Sequence, residues 1–242
     1  MASVDIIIPV YNEEHVLAES VATLRKFLAE GFAHQYRIVV ADNASTDGTL
    51  AVAQRLAQKH PDVASLHIPQ KGRGRALRAA WLASPADILS YMDVDLSTEL
   101  AAFPPLIEAI ASEGYDIAIG SRLARGADIR RSLRREVTSR TYNVMIKGLF
   151  FTRFSDAQCG FKAASRRAVQ ELVPLIENNE WFFDTELLIL AEKAGYRIKE
   201  IPVRWLEDPD TRVNVPKTVW EDVRGLLRLR WRRPWRALRG VA

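Results

Sequence analysis

The stretch ILSYMDVDLSTEL, residues 88–100, ends an apolar, β-favouring run in two aspartates one residue apart, Asp93 and Asp95. In an extended chain, side chains two apart point to the same side, so alternation predicts both carboxylates on one face. Two like charges so placed repel. A divalent cation removes that penalty, and hard oxygen ligands suit Mg²⁺ or Mn²⁺, which usually also hold substrate phosphates. The plain alternative is an aspartate that caps the turn after a strand. An isolated D-x-D does not choose between them.

Outward from this stretch, apolar runs alternate with helical patterns. VDIIIPV (4–10) reads as a buried strand, and Leu17, Val21, Leu24 and Leu28 follow at helical spacing. YRIVVADN, VASLHIP, DILSYMDVD and DIAIGSR read as further strands, separated by the helical patterns TLAVAQRLAQKH, GRALRAAWLAS and LIEAIASEG. Such alternation predicts an α/β fold with a mostly parallel sheet flanked by helices, binding its ligands beyond the carboxyl ends of the strands. The polar stretches YNEE, DNASTDGT, DVDLST and GSR all fall there. Beyond residue 122, the patterns predict a helix over 132–152, a short strand in QCGFKAAS, and helices in RRAVQELVPLIE and DTELLILAEKAG, the latter ending at Gly195. YRIKEIPVRWLED is predicted as one strand with Pro202 at an edge or bulge, and DPDTRVN as a loop.

With 48% hydrophobic and 26% charged residues among 242, the chain is globular in composition, long enough for a well-cored domain. One cysteine, Cys159, excludes an intramolecular disulfide framework. There is no signal-peptide pattern and no run long enough to span a bilayer, so the expected location is cytoplasmic, peripheral to the cytoplasmic membrane face. The net charge of +4 is unevenly spread: residues 223–240 carry seven arginines and no acid, and RGADIRRSLRRE (125–136) forms a second basic cluster. Both point to an anionic partner.

Two more strand-end stretches carry chemistry. In VVADNASTDGT, Asp42 could accept from a base or ribose, or belong to an ordinary turn and helix cap. In PQKGRGRALR, Lys71, Arg73 and Arg75 could meet a diphosphate beside backbone N–H groups, or form a solvated basic turn; the full Walker pattern is lacking. Acidic base or ribose sites, a basic diphosphate loop and a carboxylate dyad after successive strands are the parts a nucleotide-sugar site needs.

IIIPVYNEE, VVADNASTDGT, QKGRGRALR, DVDLST, GSR, SDAQCGFK and WFFDTELL, in this order over roughly residues 4–215, resemble the motifs of family 2 inverting glycosyltransferases. The resemblance is nearest to the dolichyl- and polyprenyl-phosphate sugar synthases. It implies the GT-A fold, Rossmann-like, with a catalytic domain over 1–215 and a basic amphipathic segment over 216–242 at the membrane surface. It implies that Pro9, Tyr11, Glu13 and Asp42 hold the nucleoside, with Lys71 and Arg73 near the donor diphosphate. Asp93, Val94 and Asp95 would form the D-x-D that binds Mg²⁺ or Mn²⁺, and Arg212 would close a loop over the donor. Arg122, Arg135 and Ser139 would hold the acceptor phosphate, and Gln158 lies on the acceptor side. Ser97 stands where many mannosyl members carry glutamine, which brings DVDLST closer to the glucosyl branch.

The implied reaction moves a hexose from UDP-glucose or GDP-mannose to a polyprenyl phosphate, with inversion to a β-linked product. A prenyl phosphate is already anionic, so it needs paired donors such as Arg122 and Arg135 more than a base. A soluble or polysaccharide hydroxyl, the alternative acceptor, would need a carboxylate or histidine to take its proton. The membrane expectation rests on Val144, Met145, Ile146, Leu149, Phe150 and Phe151 among basic residues, and on Trp231 and Trp235 in the arginine-rich segment. The first could instead be a core helix, and the second a solvated basic tail or an oligomer contact. Nucleic acid is not an expected partner, since no recognition motif accompanies the basic clusters.

Overall fold

A computed structural model describes residues 1–130, 133–206 and 215–238, the side chains of 128–138 and 206–217 excepted. Its centre is a seven-stranded sheet built from β1 (Ser3–Val10), β2 (Gln35–Asn43), β3 (Val63–Ile68), β4 (Ile88–Met92), β5 (Ile117–Ser121), β7 (Phe161–Ser165) and β8 (Ile198–Pro202). The order is β3-β2-β1-β4-β7-β5-β8, parallel except for β7, which runs against both its neighbours. Ile6, Ile7 and Ile8 of β1 are fully buried because that strand is flanked on both edges and covered on both faces.

The helices α1 (Leu17–Ala29), α2 (Thr49–Lys59), α3 (Arg73–Ala83), α4 (Phe103–Ala111), α5 (Leu133–Phe150), α6 (Arg166–Leu172), α7 (Phe183–Ala194) and α8 (Val215–Arg232) cover the sheet. One core packs Ile6, Ile8 and Ile38 against Leu17, Val21, Leu24, Leu106 and Ile107; the other packs Ile7, Leu89 and Tyr91 against Trp81, Leu188 and Leu226. The spacing of α1 is thus the reason it docks. Its stripe of Leu17, Val21, Leu24 and Leu28 is buried, while Glu19, Thr23 and Lys26 stay exposed. Gly195 ends α7 in the left-handed conformation, φ 91°, as its position after the last apolar turn predicts.

Two expectations are corrected. The single strand over 196–208 breaks after Pro202: β8 ends there on the sheet edge, and β9 (Arg204–Leu206) crosses to pair with β6 (Asp128–Arg130), an element the patterns did not indicate. Pro202 has no N–H to extend the ladder, which explains the break. The short strand expected in QCGFKAAS is present as Phe161–Ser165, preceded by a turn. β4 stops at Met92, so Asp93 and Asp95 lie in a turn and strand alternation does not orient them.

The expected membrane helices are partly core. In α5, Ile146 and Phe150 are buried while Val144, and Phe151 just past the helix, stand out at 68% and 81% exposure. In α8, Leu226 and Leu229 are buried, and Trp235 of the following turn packs edge-on against Phe150. Among the described residues no helix is long and apolar enough to cross a membrane.

Candidate active site

The antiparallel β7 assembles the site. Its register places Phe161 opposite Met92, the last residue of β4, and Lys162 opposite Ile119 of β5. The turn before β7, residues 156–160, is thereby held between the two strand ends that carry Asp93 and Arg122. The Asp93 N–H donates to Gly160 O at 3.2 Å, and a Cβ on Gly160 would lie 1.7 Å from Asp93 Oδ2. Only glycine lets the carboxylate sit there. In the turn, Leu96 N–H bonds Asp93 O, Leu96 takes a positive φ of 49°, and Ser97 N–H bonds Asp95 Oδ1. The turn brings both carboxylates to one cleft, lined also by Ser97, Thr98, Arg122, Gln158 and Trp205.

Arg73 and Arg122, expected to offer free cations to phosphates, are each held by carboxylates. Arg73 is buried, with Nη2 on Asp93 Oδ1 at 2.9 Å and Nη1 on Asp184 Oδ2 at 2.7 Å. Asp184 also receives the Tyr91 hydroxyl and lies 3.4 Å from Lys162 Nζ. Burial alone would raise the Asp184 carboxyl, but Lys162 and Arg73 hold it below the usual carboxylate range. Arg122 makes a two-pronged contact with Asp156, Nε–Oδ2 2.8 Å and Nη2–Oδ1 2.9 Å. Burial opposes charge on Asp156 as well, and the Arg122 guanidinium keeps it ionised. Cys159, beside this pair, is pushed up to about 12, chiefly by burial, so its thiol stays protonated and is no nucleophile near neutral pH.

The nucleoside-side residues lie at the ends of β1 and β2, where parallel register sets Pro9 beside Ala41 and Val10 beside Asp42. Asp42 is fully buried; Oδ2 meets His67 Nδ1 at 2.7 Å and Oδ1 has no hydrogen-bond partner. The Glu13 N–H bonds Thr49 Oγ1 and its carbonyl caps the start of α1. Lys71 Nζ stands 3.5 Å over the Tyr11 ring. Gly72 follows with φ 148°, a conformation suited to glycine, and its N–H donates to Asn43 Oδ1. On the acceptor side, Gln158 Nε2 donates to Asp222 Oδ2, and Ser139 Oγ is buried without a partner. The Val94 side of the turn packs into the core. The Arg135 side chain and Arg212 fall outside the described residues.

The structure thus gathers Asp93, Asp95, Arg122 and Gln158 around one cleft. It adds Asp156, Asp184, Gly160 and Asp222, to which the sequence reading gave no role. Asp156, Gly160 and Asp184 stand inside SDAQCGFK and WFFDTELL, so motif membership was their only signal. Asp222, in a basic helix, had none.

Could this cleft hold a divalent cation? Among the described residues no three His, Cys, Asp or Glu side chains form a protein-only cage. Asp93 and Asp95 nonetheless supply the one or two carboxylates typical of a cation that also binds phosphate oxygens and water. The two nearest arginines are already neutralised by Asp184, Asp93 and Asp156, so a diphosphate entering here brings charge they do not offset. The donor set fits Mg²⁺ or Mn²⁺.

Comparison with known proteins agrees with this layout. Residues 5–173 match the family described as Glycosyl transferase family 2. Glycosyltransferase AglD of Haloferax volcanii is 36% identical over 233 residues, covering 94% of this chain and 37% of AglD. A dolichyl-phosphate beta-glucosyltransferase, ALG5C, of Trichomonas vaginalis is 30% identical over 220 residues, covering 86% of this chain and 65% of the relative. The chain therefore spans about a third and just under two thirds of these two proteins. In fold, glucosyl-3-phosphoglycerate synthase from Mycobacterium tuberculosis, crystallised with UDP, superposes with a TM-score of 0.72 at 19% identity, over 95% of this chain and 80% of that one. Sheet order, strand-end motifs and these likenesses converge: the chain belongs to glycosyl transferase family 2 and has its α/β, GT-A architecture.

Proposed function

We propose that this enzyme is an inverting hexosyltransferase that uses a nucleotide sugar and a polyprenyl phosphate of the dolichyl type. The observation that carries the proposal is the cleft: its two carboxylates, assigned to the cation, face Arg122 and Gln158, and among the described residues no further carboxylate and no histidine lines it. Such a wall suits an acceptor that arrives already ionised. A hydroxyl acceptor would call for a positioned base. The dolichyl-phosphate glucosyltransferase likeness supports the same acceptor and favours glucose over mannose, hence UDP-glucose over GDP-mannose.

Asp42, with its open buried oxygen, accepts from the base or ribose between Pro9, Tyr11 and Glu13. Lys71 leaves the Tyr11 ring to approach the diphosphate. Asp93 and Asp95 hold Mg²⁺ or Mn²⁺, which when bound supplies charge neutralisation for the departing nucleoside diphosphate. Arg73 fixes the Asp93 carboxylate, and Arg122, pinned by Asp156, presents a directed positive edge to the acceptor phosphate, helped by Ser139, Arg135 and Gln158. Arg212 covers the donor. The anionic acceptor then attacks the anomeric carbon in line, and the configuration inverts.

The acceptor lives in a bilayer, and α8 offers a face for one. Trp220, Leu227 and Trp231 are 69%, 45% and 80% exposed, and they line an outward groove with Arg224, Arg228 and Arg232. Indole rings and arginines together suit an anionic lipid surface.

The test is radiolabelled transfer. Protein with Mn²⁺ or Mg²⁺ is offered UDP-glucose and GDP-mannose in parallel, with polyprenyl phosphate in detergent. Label entering the organic phase from UDP-glucose, and lost in Asp95→Ala, is expected. Nucleotide-sugar binding with no lipid label from either donor would sink the prenyl-phosphate acceptor and promote a hydroxyl acceptor.

A further inference from the structure

Gln158 lines the cleft beside Asp93, Asp95 and Arg122; its backbone N–H is held locally by Asp156 Oδ1, but its side chain reaches a distant partner. Its Nε2 donates at 3.2 Å to Oδ2 of Asp222, which enters from α8, 64 residues further along the chain. Asp222 is only 4% exposed, and its other oxygen, Oδ1, is buried with no hydrogen-bond partner. No step of the reaction above uses this carboxyl. We propose that Asp222 is a positioning residue: by holding one end of the Gln158 amide, it decides whether a carbonyl or an NH₂ group faces the anion in the cleft. The inference rests on the reading of Gln158 as part of the acceptor-phosphate wall.

The chemistry follows from what each group can give. An ionised carboxylate only accepts, so it takes the amide NH₂ and leaves the Gln158 carbonyl for the cleft. A carbonyl repels a phosphate. A protonated carboxyl has an O–H to donate, so it can instead hold Gln158 Oε1. The amide, whose two ends have nearly the same shape, then turns its NH₂ to the anion. One proton on Asp222 thus exchanges an acceptor for a donor at the cleft wall.

The surroundings let both forms occur. Asp222 is faced by Tyr142 of α5, by Gln158 and by its own neighbour Glu221. Tyr142 in turn shares a hydrogen bond with Thr185 of α7 and feels Asp184 of the same helix. Burial is the main influence and Glu221 adds to it; against the hydrogen bonds from Tyr142 and Gln158, they push the carboxyl up to about 7. Because Asp222 sits on α8, whose opposite face carries Trp220 and Trp231, any shift of that helix also reaches Gln158.

Neither readout of the test depends on turnover, so a failed acceptor assignment and a failed Asp222 assignment are separable. In protein carrying ¹⁵N-glutamine, the Gln158 side-chain NH₂ signals are identified by their loss in Gln158→Met. They are followed in the wild type from about pH 5.5 to 8.5, the range around the carboxyl's value. A single inflection near neutrality is expected, absent in Asp222→Asn, whose side chain never ionises. Sulfate, which does not titrate in this range, serves as the anion probe. It should bind the wild type about tenfold tighter below the inflection than above it, and Asp222→Asn should lose that ratio. Signals flat with pH in the folded wild type, or the same titration persisting in Asp222→Asn, would overturn the assignment.

Discussion

Gly160→Ala is the smallest change that should disable the cleft without touching a charged residue. The added Cβ would lie 1.7 Å from Asp93 Oδ2, 2.5 Å from Cγ and 2.8 Å from Oδ1, so the whole carboxyl group is in its way. Gly160 is not among the glycines with positive φ, so alanine meets no backbone objection and the effect is steric. An ordinary contact needs more than about 3.4 Å, so Oδ2 must move by at least about 1.7 Å. That swing breaks the 2.9 Å bond to Arg73, an interaction between charged groups worth about 1.5–3 kcal/mol. Arg73 retains Asp184, so the lower half of that range applies. For a chain of this length the melting temperature should fall by roughly 3–8 °C. A binding carboxylate displaced by more than 1 Å should cost about a hundredfold in Mn²⁺-dependent nucleotide affinity. Gly148→Ala is the control. Its Cβ meets nothing within 4 Å in α5, and it should stabilise by about 0.5–1 kcal/mol with unchanged binding. Calorimetric titration of nucleoside diphosphate with Mn²⁺, paired with thermal melts, reads both effects. Wild-type affinity and melting in Gly160→Ala would refute the placement of Asp93.

Three further outcomes follow from the same geometry. Asp156→Ala leaves the buried Arg122 guanidinium uncompensated and should destabilise by about 3–5 kcal/mol in urea melts, whereas a loss under 1 kcal/mol would show the pair to be dispensable. Asp222 has a folded-state pKa, about 7, above its ordinary 3.8, so its ionisation opposes folding: stability falls as pH rises from about 4 through 7. Asp222→Asn should therefore gain on the wild type between pH 5 and 8, by at most about 3 kcal/mol, and an equal difference at both pH values would contradict this. Replacing Trp220 and Trp231 together by Ala should abolish most sedimentation with anionic vesicles while leaving the melting temperature within about 2 °C, because both rings are exposed.

How far the sequence carried differs by physical cause. The alternation from Val4 to Ser121 was legible because most of its strands, β1, β4 and β5 above all, are buried apolar runs and helices such as α1 show their stripe, and local periodicity suffices for both. It was also enough to place Asp42, Lys71, Asp93 and Arg122 on one edge, since parallel strands share their carboxyl ends. What stayed hidden depends on pairings between distant segments. Nothing local says that Phe161–Ser165 inserts antiparallel between β4 and β5, yet that insertion puts Gly160 against Asp93. Nor does the motif QKGRGR reveal that Arg73 is buried against carboxylates while Lys71 is exposed on a tyrosine ring. The strand 196–208 was misread because Pro202, noted as an edge or bulge residue, ends one strand there and the next pairs with a distant segment, Asp128–Arg130.

The burial of Arg73 and Arg122 has a consequence for how such a cleft works. A free guanidinium would bind the diphosphate in ground state and transition state alike, which tightens substrate without speeding its reaction. An arginine clamped by a buried carboxylate keeps its direction, and its field is offset until charge appears at the position it faces. Arg122 points its remaining N–H groups from a fixed platform of Asp156, and Arg73 fixes Asp93 from the platform of Asp184. Preorganisation of this kind places the cost of ordering in the folding of the protein and not in the encounter with substrate. Asp156 and Asp184, the acids of SDAQCGFK and WFFDTELL, hold Arg122 and Arg73 in place, and removing either should disturb the cleft geometry.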